Sequence, residues 1–220
     1  MSQVGEFGDR RRMPARGLGI AFLVAIALCA ALPRPASAAT RSHRAAATRG
    51  HRAAATRPCP NANASASSAP VRELRLAVVC LVNQERAHYH LPALRQVPKL
   101  VSSAQSYTTE MVLDAFFSHT GPGGSTPGVR ITAAGFRWSW AGENIASGYP
   151  TPQSVVTAWM DSPGHCYNIL APVFADIGVG VSPESVAQAH GPATWTEDFG
   201  LPLGAWAPSA NWGPADSCAK

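Results

Sequence analysis

Beyond residue 70, apolar residues first recur at helical spacing. One face carries five of them at positions i, i+3, i+4, i+7 and i+8: Leu74, Ala77, Val78, Leu81 and Val82. This spacing predicts an amphipathic helix. Pro70 and Glu73 are suited to its first turn. We therefore predict a first helix from Pro70 to about Ala87.

A second run of helical spacing follows after the short Leu91–Leu94 turn. The helix is expected to start near Pro98 and to end at Phe116–Phe117, where the chain enters a loop rich in Gly and Pro. Its apolar face consists of Leu100, Ala104, Tyr107, Met111 and Ala115.

Two shorter helices are predicted further on. Thr126–Ala134 is typical of a short helix, because a glycine follows it directly. Thr151 and Pro152 are a favourable N-cap and first position for another. Pro163 is expected to end that helix, which would place His165 just past its C-terminus, at the negative end of the helix dipole.

The last third of the chain alternates between apolar and small residues, as strands do. In Phe174–Ser182 one face carries Ile177, Val179 and Val181, and glycines on the other face predict close packing by another element. Thr194–Gly200 is predicted to be a second strand, antiparallel to the first, and Arg137–Ile145 an extended segment. Helices first and strands later, without regular alternation, indicate an α+β fold.

The N-terminal third does not have a globular pattern. Residues 1–39 combine a basic start, an apolar run and the small residues Ala36-Ser37-Ala38, which is typical of a secretory signal peptide. The apolar run, Leu18–Leu32, is about fifteen residues long and therefore shorter than the roughly twenty that a membrane span needs. We predict export, with the mature protein secreted or associated with the cell envelope.

Residues 40–69 are predicted to be a disordered basic tail and linker, and residues 70–220 the folded domain. The octapeptides at 41–48 and 49–56 are nearly identical and contain no apolar side chain larger than alanine. Such a segment cannot bury enough surface to offset its chain entropy.

The net charge changes sign along the chain. The whole sequence carries +5, but residues 58–220 contain eight Lys and Arg against eleven Asp and Glu, a net charge of −3. An acidic domain argues against nucleic acid as a partner. The basic tail could contact an anionic wall polymer or membrane surface, or it could be an inert spacer.

Four cysteines remain after the predicted signal peptide: Cys59, Cys80, Cys166 and Cys218. An even number in an exported chain indicates two disulfides, for which three pairings are possible. We favour Cys59–Cys80 with Cys166–Cys218, because these would tie both ends of the domain to its middle.

Three loop segments each place one ionisable side chain beside Gly and Pro. They are FFSHTGPGGSTP with His119, AGENIASG with Glu143, and WMDSPGHCYNIL with His165. These blocks resemble the signatures of the CAP superfamily (cysteine-rich secretory proteins, antigen 5 and pathogenesis-related proteins), in its bacterial secreted SCP-like branch. The resemblance covers roughly Cys80 to Gly200. It implies a three-layer α-β-α sandwich, for which we expect an antiparallel central sheet.

The resemblance also implies a cleft lined by His119, Glu143 and His165. His119 and His165, with the carboxylate, could hold zinc or another divalent metal with one position open for water, and Glu143 could then act as a base in hydrolysis. A hydrogen-bonded structural cluster is the alternative, since buried polar groups need partners anyway. Asn144 and Asn168 are expected to satisfy backbone groups of the loops.

One departure from the family pattern weakens a catalytic role. Many CAP proteins carry a second acid three residues after the tryptophan that corresponds to Trp159, and this chain has Ser162 there. We assign no catalytic residue. The leading hypothesis is a binding module for a divalent metal, a small ligand or an envelope polymer. The alternatives are a metal-assisted hydrolase of peptide or wall polymer, and a lipid or sterol carrier.

Overall fold

The computed structural model describes residues 3–4, 58–186, 189–206 and 213–218. By its contacts the chain divides into one unit of residues 1–11 and 56–220 and a second of residues 12–55, which lies outside the described residues. The predictions of a signal peptide and of a basic tail therefore fall almost wholly on residues that are not described. Among the described residues no helix has the length and apolar character to cross a membrane.

The described part of the chain contains five α-helices, five strands and two short 3-10 helices, Pro122–Gly124 and Gly213–Ser217. The helices are α1 Val71–His88, α2 Pro98–Leu113, α3 Pro127–Ala133, α4 Pro152–Met160 and α5 Pro163–Leu170. The strands are β1 Gln3–Val4, β2 Arg95–Gln96, β3 Trp138–Ser147, β4 Asp176–Ser182 and β5 Thr194–Pro202.

The strands form one mixed sheet in the order β1-β3-β5-β4-β2. β3, β5 and β4 pair antiparallel, as do β1 and β3, whereas β2 runs parallel to β4. The expectation of a purely antiparallel sheet is therefore wrong at this edge. A parallel pair requires a long crossover, and the chain between β2 and β4, which includes α2 to α5, supplies it.

Helices cover both faces of the sheet. α2 and α3 pack on one face, where glycines admit the α2 backbone: a Cβ at Gly178 would lie 2.1 Å from the carbonyl carbon of Leu100, and one at Gly180 would lie 2.3 Å from the carbonyl oxygen of Ala104. On the other face, Val179 and its neighbours join the main core with α1, α4 and α5. The predicted α+β fold with three α-β-α layers is thus confirmed.

The predicted starts of α1 to α4 agree with the structure to within one residue, whereas the end of α2 differs and α5 was not predicted. α2 stops three residues before Phe116, because Ala115 adopts a left-handed backbone conformation with φ of 54°. Pro163 begins α5 instead of merely ending α4, since proline is well tolerated in a first helical turn. His165 consequently lies in the first turn of a helix, and its predicted position after a C-terminus is wrong.

Both favoured disulfides, Cys59–Cys80 and Cys166–Cys218, are present. The first fastens the segment before α1, which also pairs with the α4 region: Ala66 N donates to Pro150 O at 2.9 Å. Cys59 and Ala66 are buried. Residues 58–69 therefore pack onto the domain and are not part of a disordered linker.

Candidate functional site

The paired strands β3 and β5 carry polar residues on both faces of the sheet. In the β3–β5 ladder Glu143 lies opposite Asp198, and Asn144 lies opposite Glu197. Successive residues of a strand point to opposite faces of the sheet. The first pair therefore faces α2 and α3, the second faces α5, and all four residues are fully buried.

The first group, which we call the Glu143 cluster, consists of Glu143, His119, Arg130 and Asp198. His119 Nδ1 lies 2.7 Å from Glu143 Oε1, and Arg130 Nη2 donates to Glu143 Oε2 at 2.6 Å. Both carboxylate oxygens are thus engaged by groups that carry or can carry positive charge. A buried carboxylate needs such partners because its desolvation is costly.

Arg130 is held in place by three further contacts. Its Nη1 donates to Ser125 O at 2.5 Å, and its Nη2 also donates to His119 O at 3.1 Å. Its Cζ lies 3.3 Å from the centroid of the Tyr107 ring, which is a cation–π arrangement. Tyr107 in turn donates its hydroxyl to Ser118 O. The loop that carries His119 is therefore anchored from α2 and from α3.

Asp198 is the uncompensated member of the Glu143 cluster. Burial raises its pKa well above the usual value, and the neighbouring Glu143 carboxylate raises it further. Among the described residues no side chain meets the geometry of a hydrogen bond to either carboxyl oxygen of Asp198, although Ser103 and Arg130 are close enough to oppose part of this rise in pKa. The raised pKa favours the protonated form of Asp198.

The second group, the Asn144 cluster, consists of Asn144, Asn168, Glu197 and His165. Asn168 Nδ2 donates to Glu143 O at 3.0 Å and to Asn144 Oδ1 at 2.8 Å, and Asn144 Nδ2 donates to Glu197 Oε2 at 3.1 Å and to His165 O at 3.2 Å. The predicted role of the two asparagines, satisfying backbone groups, is confirmed. Desolvation raises the pKa of Glu197 to about 8, and the Asn144 hydrogen bond opposes part of that rise.

His165 has a structural partner on its own helix. Its ring Nδ1 lies 2.8 Å from the hydroxyl oxygen of Ser162, the N-cap of α5, and the residue is fully buried. Of the three predicted site residues, His119 and Glu143 are in direct contact. Asn144 joins His165 to its cluster by donating to the backbone carbonyl of His165.

The residues around Glu143 do not fit a divalent metal. In the described part of the chain no group of three or more His, Cys, Asp or Glu side chains is arranged to hold a metal ion. The guanidinium of Arg130 already occupies the side of Glu143 where a metal cation would bind, and the imidazole of His119 occupies the other. Arg130 thus supplies the positive charge that a metal would otherwise contribute.

Sequence reasoning missed Arg130 and Asp198. Arg130 lies within a seven-residue helix and belongs to no motif, so only its contact with Glu143 reveals its role. Asp198 occupies a strand position that the alternation marks as facing a helix layer. Asp198 could have been found from the sequence, because a charged residue at a position of a predicted strand that faces inward is unusual.

The matching family model identifies the chain. The model of the cysteine-rich secretory protein family, CAP, matches residues 79–199. The chain belongs to the CAP family. The Glu143 cluster and the Asn144 cluster both lie within the matched region. The match by itself assigns no role to their members.

This CAP protein is similar to other bacterial proteins. YkwD of Bacillus subtilis (strain 168), an uncharacterized protein, is 37% identical over 139 residues, which are 63% of this chain and 51% of YkwD. The crystal structure of an extracellular SCP-domain protein from Bacillus anthracis str. Ames superimposes with a TM-score of 0.51 at 25% identity, covering 60% of this chain and 45% of that one. This chain thus spans about half the length of each. An extracellular neighbour and two formed disulfides are consistent with an extracellular-type protein.

Proposed function

We propose that this CAP protein is an exported binding module of the cell envelope that takes a small polar ligand at His119. One observation carries the proposal. His119 is held at Nδ1 by Glu143, while its Nε2 is buried and has no hydrogen-bond partner among the described residues. A buried nitrogen of this kind needs a partner, and a ligand can provide it.

The geometry also selects the chemistry of the ligand. An imidazole that donates Nδ1–H to a carboxylate presents Nε2 as an acceptor when the ring is neutral. The complementary ligand group is therefore an O–H or N–H donor. Sugars and peptides supply both, and the fragments of a cell wall combine them, which agrees with an envelope location.

The metal-assisted hydrolase is the weaker alternative. Glu143 can act as the base for a metal-bound water only with a free oxygen, and both of its oxygens are engaged by His119 and Arg130. The lipid or sterol carrier gains no specific support from the described residues.

The experiment is a titration of the purified, disulfide-bonded protein with soluble muropeptides, observed through the ¹⁵N resonances of the histidine rings. The His119 Nε2 resonance should shift on binding, and His119→Gln should lose at least tenfold in affinity. His88→Gln, at an exposed position, is the matched control and should bind like wild type. Equal affinity of wild type and His119→Gln would place the ligand elsewhere.

A zinc titration by calorimetry separates the metal hypothesis from this proposal. We expect no stoichiometric zinc binding that depends on these histidines. A micromolar site that disappears in the double variant His119→Ala/His165→Ala would replace the proposal with the metal site.

A further inference from the structure

A second concave surface lies at the opposite edge of the sheet, beside β2. α1 and α2 form its walls, and this open groove has a volume of about 610 Å³, within the range of small-ligand sites in proteins. The lining includes Arg72 and Arg75 from α1, Gln96 from β2, and Ser102 and Ser106 from α2. We call it the arginine groove. It is separate from His119, which belongs to the β3–β5 end of the sheet.

Arg75 is fixed at the floor of the arginine groove. Its Nη2 donates to Gln105 Oε1 at 2.6 Å. The Gln105 amide also bonds to Val181, accepting from Val181 N at 3.0 Å and donating to Val181 O at 3.1 Å. β2 pairs with β4 only at Asp176 and Ile177. Further along β4, the Gln105 side chain makes the hydrogen bonds that a neighbouring strand would otherwise make. A guanidinium held to the sheet in this way is preorganised for a ligand.

Two residues that line the groove each have a buried polar atom without a hydrogen-bond partner in the described part of the chain. These atoms are a donor, Arg75 Nε, and an acceptor, Gln96 Oε1. Leaving such atoms unpaired costs free energy, and partial burial already lowers the pKa of Arg75. A ligand with both an anionic oxygen and a hydroxyl group would satisfy the two atoms together.

The charge of the groove points in the same direction. Its lining contains two guanidinium groups, two serine hydroxyls and no carboxylate. The surrounding residues 58–220 carry a net charge of −3, so the groove is a local positive site on an acidic domain. Guanidinium groups with adjacent hydroxyl donors suit the several oxygens of a phosphate better than a single carboxylate.

We propose that the arginine groove binds a phosphate ester of a polyol or sugar. Arg72 and Arg75 hold the phosphate, with Arg75 Nε as one donor. Gln96 Oε1 accepts a hydrogen bond from a hydroxyl of the polyol. The partially apolar wall, which includes the exposed Leu76, contacts its carbon chain. This site does not depend on the function proposed for His119.

The test is an NMR titration with glycerol 3-phosphate that follows the Nε–H resonances of the arginine side chains. Three further ligands serve as controls. Glycerol represents the polyol part of the probe, inorganic phosphate represents its phosphate part, and lactate is a carboxylate of similar size. We expect glycerol 3-phosphate to shift the Arg75 Nε–H resonance and to bind more tightly than any of the other three.

Substitutions assign the contributions. Arg72→Gln, at an exposed position where substitutions usually change stability little, and Arg75→Gln should each weaken binding at least fivefold. Gln96→Leu should weaken the binding of glycerol 3-phosphate but not that of inorganic phosphate. Arg137→Gln, at an exposed arginine of a different surface groove, is the matched control, and His119→Gln should also leave this affinity unchanged.

Three results would overturn the proposal. An unchanged affinity of Arg72→Gln for glycerol 3-phosphate would show that the arginines do not hold the phosphate. Lactate binding as tightly as glycerol 3-phosphate would exclude selectivity for phosphate. Equal effects of Gln96→Leu on both phosphate probes would remove the polyol contact.

Discussion

The two faces of the β3–β5 ladder bury carboxyl groups in opposite ways. On one face Glu143 is fully buried against an imidazole and a guanidinium. On the other, Glu197 is equally buried, but its only described partner is the Asn144 amide. A buried carboxyl group either acquires a cation and stays ionised or keeps its proton. The first face is therefore charged and the second neutral.

This difference assigns different roles to adjacent residues of one strand. The charged face includes a loop histidine with an unpaired nitrogen, which is a group that a ligand can use. The neutral face consists of amides that bond to backbone carbonyls and fasten α5 to the sheet. We therefore propose the ligand site at the Glu143 cluster and a structural role for the Asn144 cluster.

The largest expected effect comes from removing the cation of the charged face. Arg130→Met keeps the length of the side chain but leaves the Glu143 charge beside Asp198 with only His119 to offset it. Breaking a buried ion pair in this way costs about 3–5 kcal/mol of the free energy of unfolding. Urea denaturation measures this quantity.

The control for Arg130→Met is Arg137→Met, at an exposed position in the following segment. Such surface substitutions usually change stability by less than about 0.5 kcal/mol. A loss below 1 kcal/mol for Arg130→Met would mean that the charged face does not depend on its cation, and the contrast between the two faces would fail.

The next effect concerns the amides of the neutral face. Asn168→Ala removes the donor to Glu143 O and to Asn144 Oδ1 and leaves both acceptors buried, at a cost of about 1–3 kcal/mol. Urea denaturation again provides the measurement, with exposed Gln153→Ala as control. Ligand binding at His119 should be retained. A loss of binding without a loss of stability would show that this face belongs to the site.

The pH dependence of stability distinguishes the two carboxyl groups. The pKa of Glu197 is raised from 4.5 to about 8 in the folded state, so the folded state binds the extra proton between these values. The stability contributed by neutral Glu197 is complete below about pH 4.5 and is lost as the pH rises through about 8. The slope approaches about 1.4 kcal/mol per pH unit within this window.

Glu197→Gln has nearly the shape of the protonated side chain but cannot titrate. It should therefore remove the contribution of Glu197 to the pH dependence of the unfolding free energy. The measurement is the difference between the unfolding free energies of wild type and Glu197→Gln at several pH values from about 5 to about 8. Asp198 acts in the same direction and remains in both proteins, so the difference isolates Glu197. Parallel pH profiles for the two proteins would show that Glu197 is ionised when folded.

The smallest effect concerns His165. Ser162→Ala removes the hydroxyl that bonds to the His165 ring, and the loss of this hydrogen bond should cost about 1 kcal/mol. Exposed Ser68→Ala is the control. The ¹⁵N resonances of the His119 ring should not respond. A shift of those resonances in Ser162→Ala would couple the two histidines and reopen the shared site.

Local patterns predicted most of the elements. Helical spacing located α1, and the strict alternation of Ile177, Val179 and Val181 located β4 together with the close approach of α2 at its glycines. Thr151 forms the predicted N-cap, in a capping box with Ser154. Each of these signals depends on interactions within a few residues, or on a face that any packed partner would cover.

Features that depend on distant partners were predicted less well. β2 is only two residues long and has no pattern of its own, so its parallel pairing with β4 exists only in the assembled sheet. Pro163 was compatible with both the end and the start of a helix, and the packing of α5 against the sheet decided for the start.

The sequence by itself determined the CAP membership and predicted an α+β fold and two disulfides, because motifs, periodicity and the number of cysteines are properties of the linear chain. The three layers were implied by the resemblance to the CAP family, and three disulfide pairings remained possible. It also nominated His119, Glu143 and His165. Only the tertiary structure decided that Arg130 neutralises Glu143 and that His165 bonds to Ser162. The charge and partners of a buried group depend on what the rest of the chain brings next to it, and that is set by folding.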